Sequence, residues 1–133
     1  MTATTSQTEV TRLVLQEMYD AALKMDLPRF FACFDEKIVI DEPSFLPYGG
    51  SHAGIEKFTK MVTTINQYMD FKTIQLDKLI ADGDTAVAFV RVQSVKAPGV
   101  VQLAERSIVR DGKIIDVRVH FFELGGLIAD IQR

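Results

Sequence analysis

The chain is short of the residues on which much protein chemistry depends. Its 133 residues include one cysteine, Cys33, two histidines, His52 and His120, and four prolines. A lone cysteine excludes an internal disulfide. Its apolar neighbours mark Cys33 as a small buried hydrophobe in a reducing compartment. The histidines stand far apart with no close pairing of ligands, so no metal site is expected. Runs of basic residues are missing and the formal charge is −3, which argues against a nucleic-acid partner. No stretch of about 18 apolar residues occurs, so no membrane span is expected. The polar start of the chain lacks the apolar core of a secretory signal, and a cytoplasmic location is expected. Gly49-Gly50 and Gly125-Gly126 lack the setting of a phosphate loop and read as turns. No cofactor is expected.

What is present is a chain whose hydrophobic share, 47%, suits one folded domain over residues 1–133 with a single core. The first seven residues read as a frayed tail. Thr8 is a fair N-cap for a helix running to about Met25, with Leu15, Met18 and Ala22 at helical spacing. Asp26 and Pro28 restart the chain into a short helix holding Phe30, Phe31, Cys33 and Phe34. Ile38-Val39-Ile40 is strand-like and ends at Glu42. Pro43 and Pro47 then force a stiff loop that carries Phe45, Tyr48 and His52. A helix from about Ile55 to Tyr68 follows, with Phe58 and Met61 on its apolar face. From Phe71 the pattern changes to period two. Turns at Gly83, at Pro98-Gly99 and at Asp111-Gly112 separate four strands. The segregation of helices and strands predicts an α+β fold: a curved antiparallel sheet with helices on one face.

Strand parity selects the candidate site. On the last strand Ile115, Val117, Val119, Phe121 and Glu123 share a face that is apolar until its end. That face is assigned to the helix-covered side, so Glu123 is expected at the mouth of a pocket. Arg118 and His120 take the other face. For Glu105, Ser107 and Val109, and for Phe89 and Arg91 against Val90 and Val92, alternation alone leaves both faces open. Carboxylates beside apolar surface are the strongest chemical candidates, because burial raises a carboxyl pKa into the range useful for acid–base work. Glu42, which ends an apolar strand beside a proline loop, stands first among them.

The order of elements, the stretch Glu42-Pro43-Ser44-Phe45-Leu46-Pro47-Tyr48-Gly49-Gly50 with Gly54 following, Ala104-Glu105-Arg106, and Arg110-Asp111-Gly112-Lys113-Ile114 resemble the SnoaL-like group of the nuclear-transport-factor-2-like superfamily, which includes ketosteroid isomerase. The resemblance spans about Thr8 to Leu127. It implies a cone-shaped α+β fold with a pocket between sheet and helices, and frequent dimers through the sheet's outer face. Carried over by position, Glu42 before Pro43 matches the isomerase base. Tyr19 and Glu105 match its oxyanion-stabilising pair, with Glu in place of Asp at both acidic positions. The resemblance implies for Glu105 the chemistry of that isomerase, a carboxylic acid kept neutral by an apolar site. Glu123 matches the acid–base position of the SnoaL-like polyketide cyclases. Arg91 matches limonene epoxide hydrolase, but Gln93 stands where that enzyme has a carboxylate.

These readings make Glu42, Tyr19, Glu105 and Glu123 the candidate catalytic residues. Phe34, Phe45, Tyr48, Phe58 and Met61 are candidate ligand-binding residues, together with Phe89, Arg91, Val117, Val119 and Phe121. The expected activity is proton transfer on a small apolar carbonyl compound. The alternatives are a binder of a small hydrophobic ligand, with the carboxylates ionised and paired to Arg91, Arg106 or Arg118, and a dimerisation module with a filled core. A homodimer is expected through an outer sheet face carrying Arg118, His120, Val90 and Val92.

Overall fold

The computed structural model describes residues 6–131, so Met1–Thr5 of the expected tail lie outside the described residues. The fold is α+β, as expected: one curved, unclosed sheet of six strands with helices packed on one face. Helix α1 spans Gln7–Leu23 and α2 spans Leu27–Ala32. Strand β1 (Phe34–Glu42) leads through the proline loop to β2 (Gly50–Ala53) and helix α3 (Ile55–Ile65). Strands β3 (Met69–Asp82), β4 (Thr85–Ser94), β5 (Val100–Arg110) and β6 (Lys113–Glu123) follow, and a short α4 (Leu127–Ile131) ends the described chain.

The sheet order is β2-β1-β6-β5-β4-β3. Every neighbouring pair is antiparallel except β1 and β6, which run parallel. The expected all-antiparallel sheet therefore has one parallel seam, created when β6 returns beside the first strand. Residues 50–53, expected as loop, form the edge strand β2 against the end of β1. Phe34, expected in the second helix, begins β1, because α2 closes one residue earlier at its C-cap Cys33. The Asp111-Gly112 hairpin forms as its sequence predicts. Both residues take positive φ, 51° and 74°, the pair of left-handed conformations that a type I′ turn requires.

Helix α1 starts earlier than expected. Ser6, not Thr8, is its N-cap, with the Ser6 hydroxyl accepting from the Glu9 N–H. Thr8 has a tertiary role instead. Its Oγ1 accepts from the Gly83 N–H at 2.8 Å, and Thr11 Oγ1 donates to the Gly83 carbonyl at 2.7 Å. Two threonines one helical turn apart thus hold both backbone polar groups of one glycine in the β3–β4 turn. This anchors α1 across the concave face of the sheet.

The core lies between the helices and that concave face. Leu15, Ala21, Ile38, Val109 and Ile114 are almost wholly buried within it. Phe30, Phe34 and Phe58 form a ring cluster, with Phe34 and Phe58 centroids 4.5 Å apart, a favourable aromatic separation. Thr11→Val keeps side-chain volume and removes the donor to Gly83. The expected cost is about 1–2 kcal/mol, because a carbonyl in a packed turn loses its partner. A thermal melt of the variant checks this; an unchanged melting temperature would show that the clamp contributes nothing.

Candidate functional site

A cavity opens between the concave face and helices α1, α2 and α3. It holds about 740 Å³ of empty space, counting the open solvent at its mouth. Its walls are apolar: Met18 and Ala22 from α1, Phe58 and Met61 from α3, Val90 and Val92 from β4. Among the residues that line it, only Tyr19, Glu42, Glu105 and Ser107 carry an oxygen in the side chain, and none is cationic.

Strand register explains how these polar groups meet. Ile40 pairs with Val117 and Asp41 with Arg118 across the parallel seam. Glu42 therefore lies one step on, beside Val119. Val119 pairs with Glu105 on the other side. Glu42, Val119 and Glu105 make one cross-strand row, with the two carboxyl-bearing residues flanking a valine. Two strand spacings put their backbones roughly 10 Å apart, within reach of two glutamate side chains leaning into a shared cavity. Tyr19 comes down from α1, and its hydroxyl donates to Glu105 Oε1 at 2.8 Å.

Burial controls the ionisation of this group. Glu42 is 7% exposed and its Oε2 has no hydrogen-bond partner among the described residues. Desolvation, reinforced by the nearby charge of Glu105, pushes the Glu42 carboxyl up to about 9. Burial also raises Glu105, and the hydrogen bond from Tyr19 draws it back only in part. Tyr19 rises well above the ordinary phenol range, through burial first and the Glu105 charge second. Both carboxyls are therefore held towards their neutral forms, the expected response of acidic groups to an apolar wall without a counter-cation. A neutral Glu105 that accepts from Tyr19 on one oxygen keeps its own O–H to offer to a ligand.

The loop after Glu42 is folded tightly. Gly49 sits against it so closely that a Cβ there would lie 2.2 Å from the Pro43 carbonyl oxygen. Leu46 and Tyr48 turn inward and Phe45 turns out, 53% exposed. The Tyr48 hydroxyl is buried without a partner among the described residues, and burial and the charge of Glu42 raise its pKa. Tyr48 packs behind the cavity wall against Tyr68, at 5.9 Å between ring centroids.

Of the residues singled out in the sequence, Tyr19, Glu42 and Glu105 converge on the cavity, as do Phe34, Phe58, Met61, Val117, Val119 and Phe121. The others do not line it. Tyr48 stands behind the wall and Phe45 is exposed on the loop. Phe89 and Arg91 belong to the outward set of β4, where Arg91 forms a two-pronged ion pair with Asp77 at 2.8 Å. Glu123 is exposed, and its displacement has a clear cause. Leu103 pairs with Phe121 but Gln102 pairs with Glu123, so Phe122 is an extra residue, a bulge. The bulge reverses parity and turns Glu123 to the outer face beside Gln102. A second bulge at Ile115 makes Ile114, not Ile115, the buried residue. The expectation that Val90 and Val92 belong to the outer face is likewise corrected, since both are buried in the cavity wall. The carboxylates meant to pair with arginine under the binder reading are also placed differently: Arg106 binds Asp116 at 2.7 Å, and Glu105 binds Tyr19. Ser107, which alternation leaves undecided, faces in. The signal that finds it is its register two residues from Glu105 on a strand whose other inward positions, Val101, Leu103 and Val109, are all aliphatic. Among the described residues no group of three His, Cys, Asp or Glu side chains is placed to hold a metal ion, and no helix is long and apolar enough to cross a membrane.

Comparison with known proteins places this geometry. No curated protein matches the sequence. Several solved structures share the fold at low identity. Bal32a, from a soil-derived mobile gene cassette, is 18% identical with a TM-score of 0.79, over 96% of this chain and 100% of its own. An NTF2-like protein from Burkholderia thailandensis E264 is 20% identical with a TM-score of 0.79, over 92% of this chain and 97% of its own. A protein from Kribbella flavida DSM 17836 described as a candidate ketosteroid isomerase is 18% identical with a TM-score of 0.72, over 90% of this chain and 82% of its own. Residues 15–117 match the SnoaL-like domain model, and with that span covering most of the fold and its cavity, the chain belongs to the SnoaL-like family.

Proposed function

We propose that the cavity is an acid–base site that moves a proton on a neutral, apolar carbonyl compound. The observation that carries this reading is the row Glu42–Val119–Glu105: two buried carboxyl groups face one apolar space, held by the strands on either side of β6. The likeness to the Kribbella protein described as a candidate ketosteroid isomerase supports the same class of reaction. The uncharged walls select the substrate class. A carboxylate or phosphate would meet two carboxyl groups and no cation, and would lose its hydration without replacement.

In the reaction, ionised Glu42 takes a proton from the carbon next to the carbonyl. The C–H electron pair moves into the new C=C bond and the carbonyl oxygen takes up negative charge. The Glu105 O–H, supported by the Tyr19 hydrogen bond, stabilises that oxygen as charge develops. Where the compound carries a β,γ double bond, the enolate electrons extend over it and Glu42 returns the proton to the γ-carbon, giving the α,β-unsaturated compound with no net change in atoms or electrons; where it carries none, the proton returns to the α-carbon and the outcome is exchange alone. Only the ionised fraction of Glu42 can start this cycle. With its carboxyl near 9, that fraction is about 1% at pH 7.

A second reading, a ligand-binding module without turnover, loses the ionised, arginine-paired carboxylates expected for it, because burial holds both groups towards their neutral forms; in it Glu42 and Glu105 act only as hydrogen-bonding groups. Deuterium exchange next to the carbonyl of 2-tetralone, followed by NMR in D₂O, separates the two. The acid–base site accelerates exchange over the buffer rate, and Glu42→Gln lowers the acceleration about 10²- to 10⁴-fold. Exchange that survives Glu42→Gln unchanged would remove Glu42 as the base, and exchange no faster than buffer would leave binding alone. The wild-type rate should rise about tenfold per pH unit from pH 6 and level off near 9, because the active form is the deprotonated one.

Stability should move the opposite way. Glu42 titrates near 4.5 when unshifted and near 9 in the fold. Between those values the folded chain keeps a proton that the unfolded chain has released. This contribution is fully present below about pH 4.5 and is lost as the pH rises through 9. Glu42→Gln cannot titrate, so at pH 8 it should be the more stable protein by on the order of a few kcal/mol. Urea melts of both proteins at pH 5 and pH 8 measure this; parallel pH dependence would mean that Glu42 is not held neutral.

We also infer that the outer sheet face joins two copies of the chain. Phe89, Ala104 and His120 form a cross-strand row there, and with Gln102 and Phe122 they line a shallow hollow. Phe122 stands 81% exposed on its bulge, shaped to enter the same hollow of a second copy in a two-fold contact. Sedimentation should show a dimer that Phe122→Asp converts to monomer. A wild-type monomer at high concentration would exclude the interface.

A further inference from the structure

Beyond the acid–base pair, the cavity contains a polar atom that the reaction above does not use. Ser107 is 1% exposed, it lines the cavity, and its Oγ has no hydrogen-bond partner among the described residues. A buried hydroxyl left unpaired is costly, and a core position among aliphatic side chains is satisfied at lower cost by alanine or valine. Its neighbours emphasise the oddity. Ser107 pairs with Val117, which pairs with Ile40. Serine is the one polar member of these three residues.

The row also gives Ser107 a definite place. It lies one inward step along β5 from Glu105, towards the end of the cavity where Ile38, Val109 and Ile114 close the core with no exposed surface. On the other side of Glu105, the cavity-lining Leu103 and Phe121 are more exposed, with Phe121 only partly buried. Along a strand, two residues span roughly 7 Å. The cavity therefore presents oxygen at two depths: the carboxyl pair with Tyr19 above, and a single hydroxyl below, separated by the span of a small ring system. No cation lines either level.

We propose that Ser107 is a specificity-determining residue that binds a second, neutral oxygen of the ligand, a hydroxyl or carbonyl group at the end of an apolar ring away from the reacting carbonyl. This deepens the acid–base reading and rests on it for the placing of the first oxygen. The chemical class becomes a hydroxy-ketone or diketone on a compact apolar frame. A ligand with a hydrocarbon at that end leaves the Ser107 hydroxyl unpaired, which is how the site would reject it. A ligand with a carboxylate there would bring an uncompensated charge to the closed end.

The experiment compares 6-hydroxy-2-tetralone with 2-tetralone by calorimetric or NMR titration, so that the readout is affinity and not turnover. Wild-type protein should bind the hydroxylated ketone about tenfold more tightly, the ratio one net hydrogen bond supplies. Ser107→Ala should bring that ratio close to one by weakening the hydroxylated probe alone. Ser107→Thr, which keeps a hydroxyl at the position, should retain the preference. A preference that persists in Ser107→Ala, or equal binding of the two probes by wild-type protein, overturns the proposal. The two readings fail separately. Absence of exchange chemistry would sink the acid–base function while leaving the affinity ratio as it is. An affinity ratio indifferent to Ser107 would sink this inference while leaving exchange at Glu42 untouched.

Discussion

The desolvation of two carboxyl groups is the constraint around which the rest of this structure is arranged. Glu42 and Glu105 occupy positions that an ordinary sheet would fill with valine or leucine, and no cation lines the cavity to offset their charge. The fold holds them there by register. The parallel seam between β1 and β6 sets the height of Glu42, and the antiparallel β5–β6 pairing sets the height of Glu105. Helix α1 supplies Tyr19, and the Thr8–Thr11 grip on Gly83 fixes where that helix lies. Each of these elements is ordinary in isolation. Together they keep two acids in an apolar space and hold both towards their protonated forms.

That arrangement links function to stability. A carboxyl neutral in the fold and charged in the unfolded chain weakens the fold as pH rises, over the same interval in which the ionised base becomes available. Activity and robustness therefore draw on one titration with opposite sign. The cost of burying the acid is the direct physical counterpart of its reactivity.

Much of this is legible in the sequence, and the reasons differ by element. The period-two pattern from Phe71 onward and the Asp111-Gly112 turn specify the hairpins, because alternation and left-handed turn chemistry are local properties. Glu42 is legible because a proline follows it, which forces the strand to end. Tyr19 and Glu105 come from positional likeness to a family, since a helix-to-strand contact between residues 86 apart in sequence leaves no local trace. The failures are equally specific. Counting parity straight through β6 misplaces Glu123 and Ile115, because two bulges break that count. The inward face of β4 stays open to alternation, although the charged Arg91 and the polar Gln93 stand in one set. The aromatic ring of Phe45 suggests an inward position, while the tight turn at Gly49 decides otherwise. Residues 50–53 pair as a strand only because the edge of β1 is free to receive them.

The bulge at Phe122 reaches further than the placement of one side chain. It is a single added residue near the end of the last strand, and it separates two layouts of the same cavity. Were the same residues paired in unbroken register, Phe122 would stand opposite Gln102 and Glu123 opposite inward-facing Val101, and a third acid would enter the cavity side of the sheet. The pairing register at this one point therefore decides which side chains reach the cavity, whatever residues stand there.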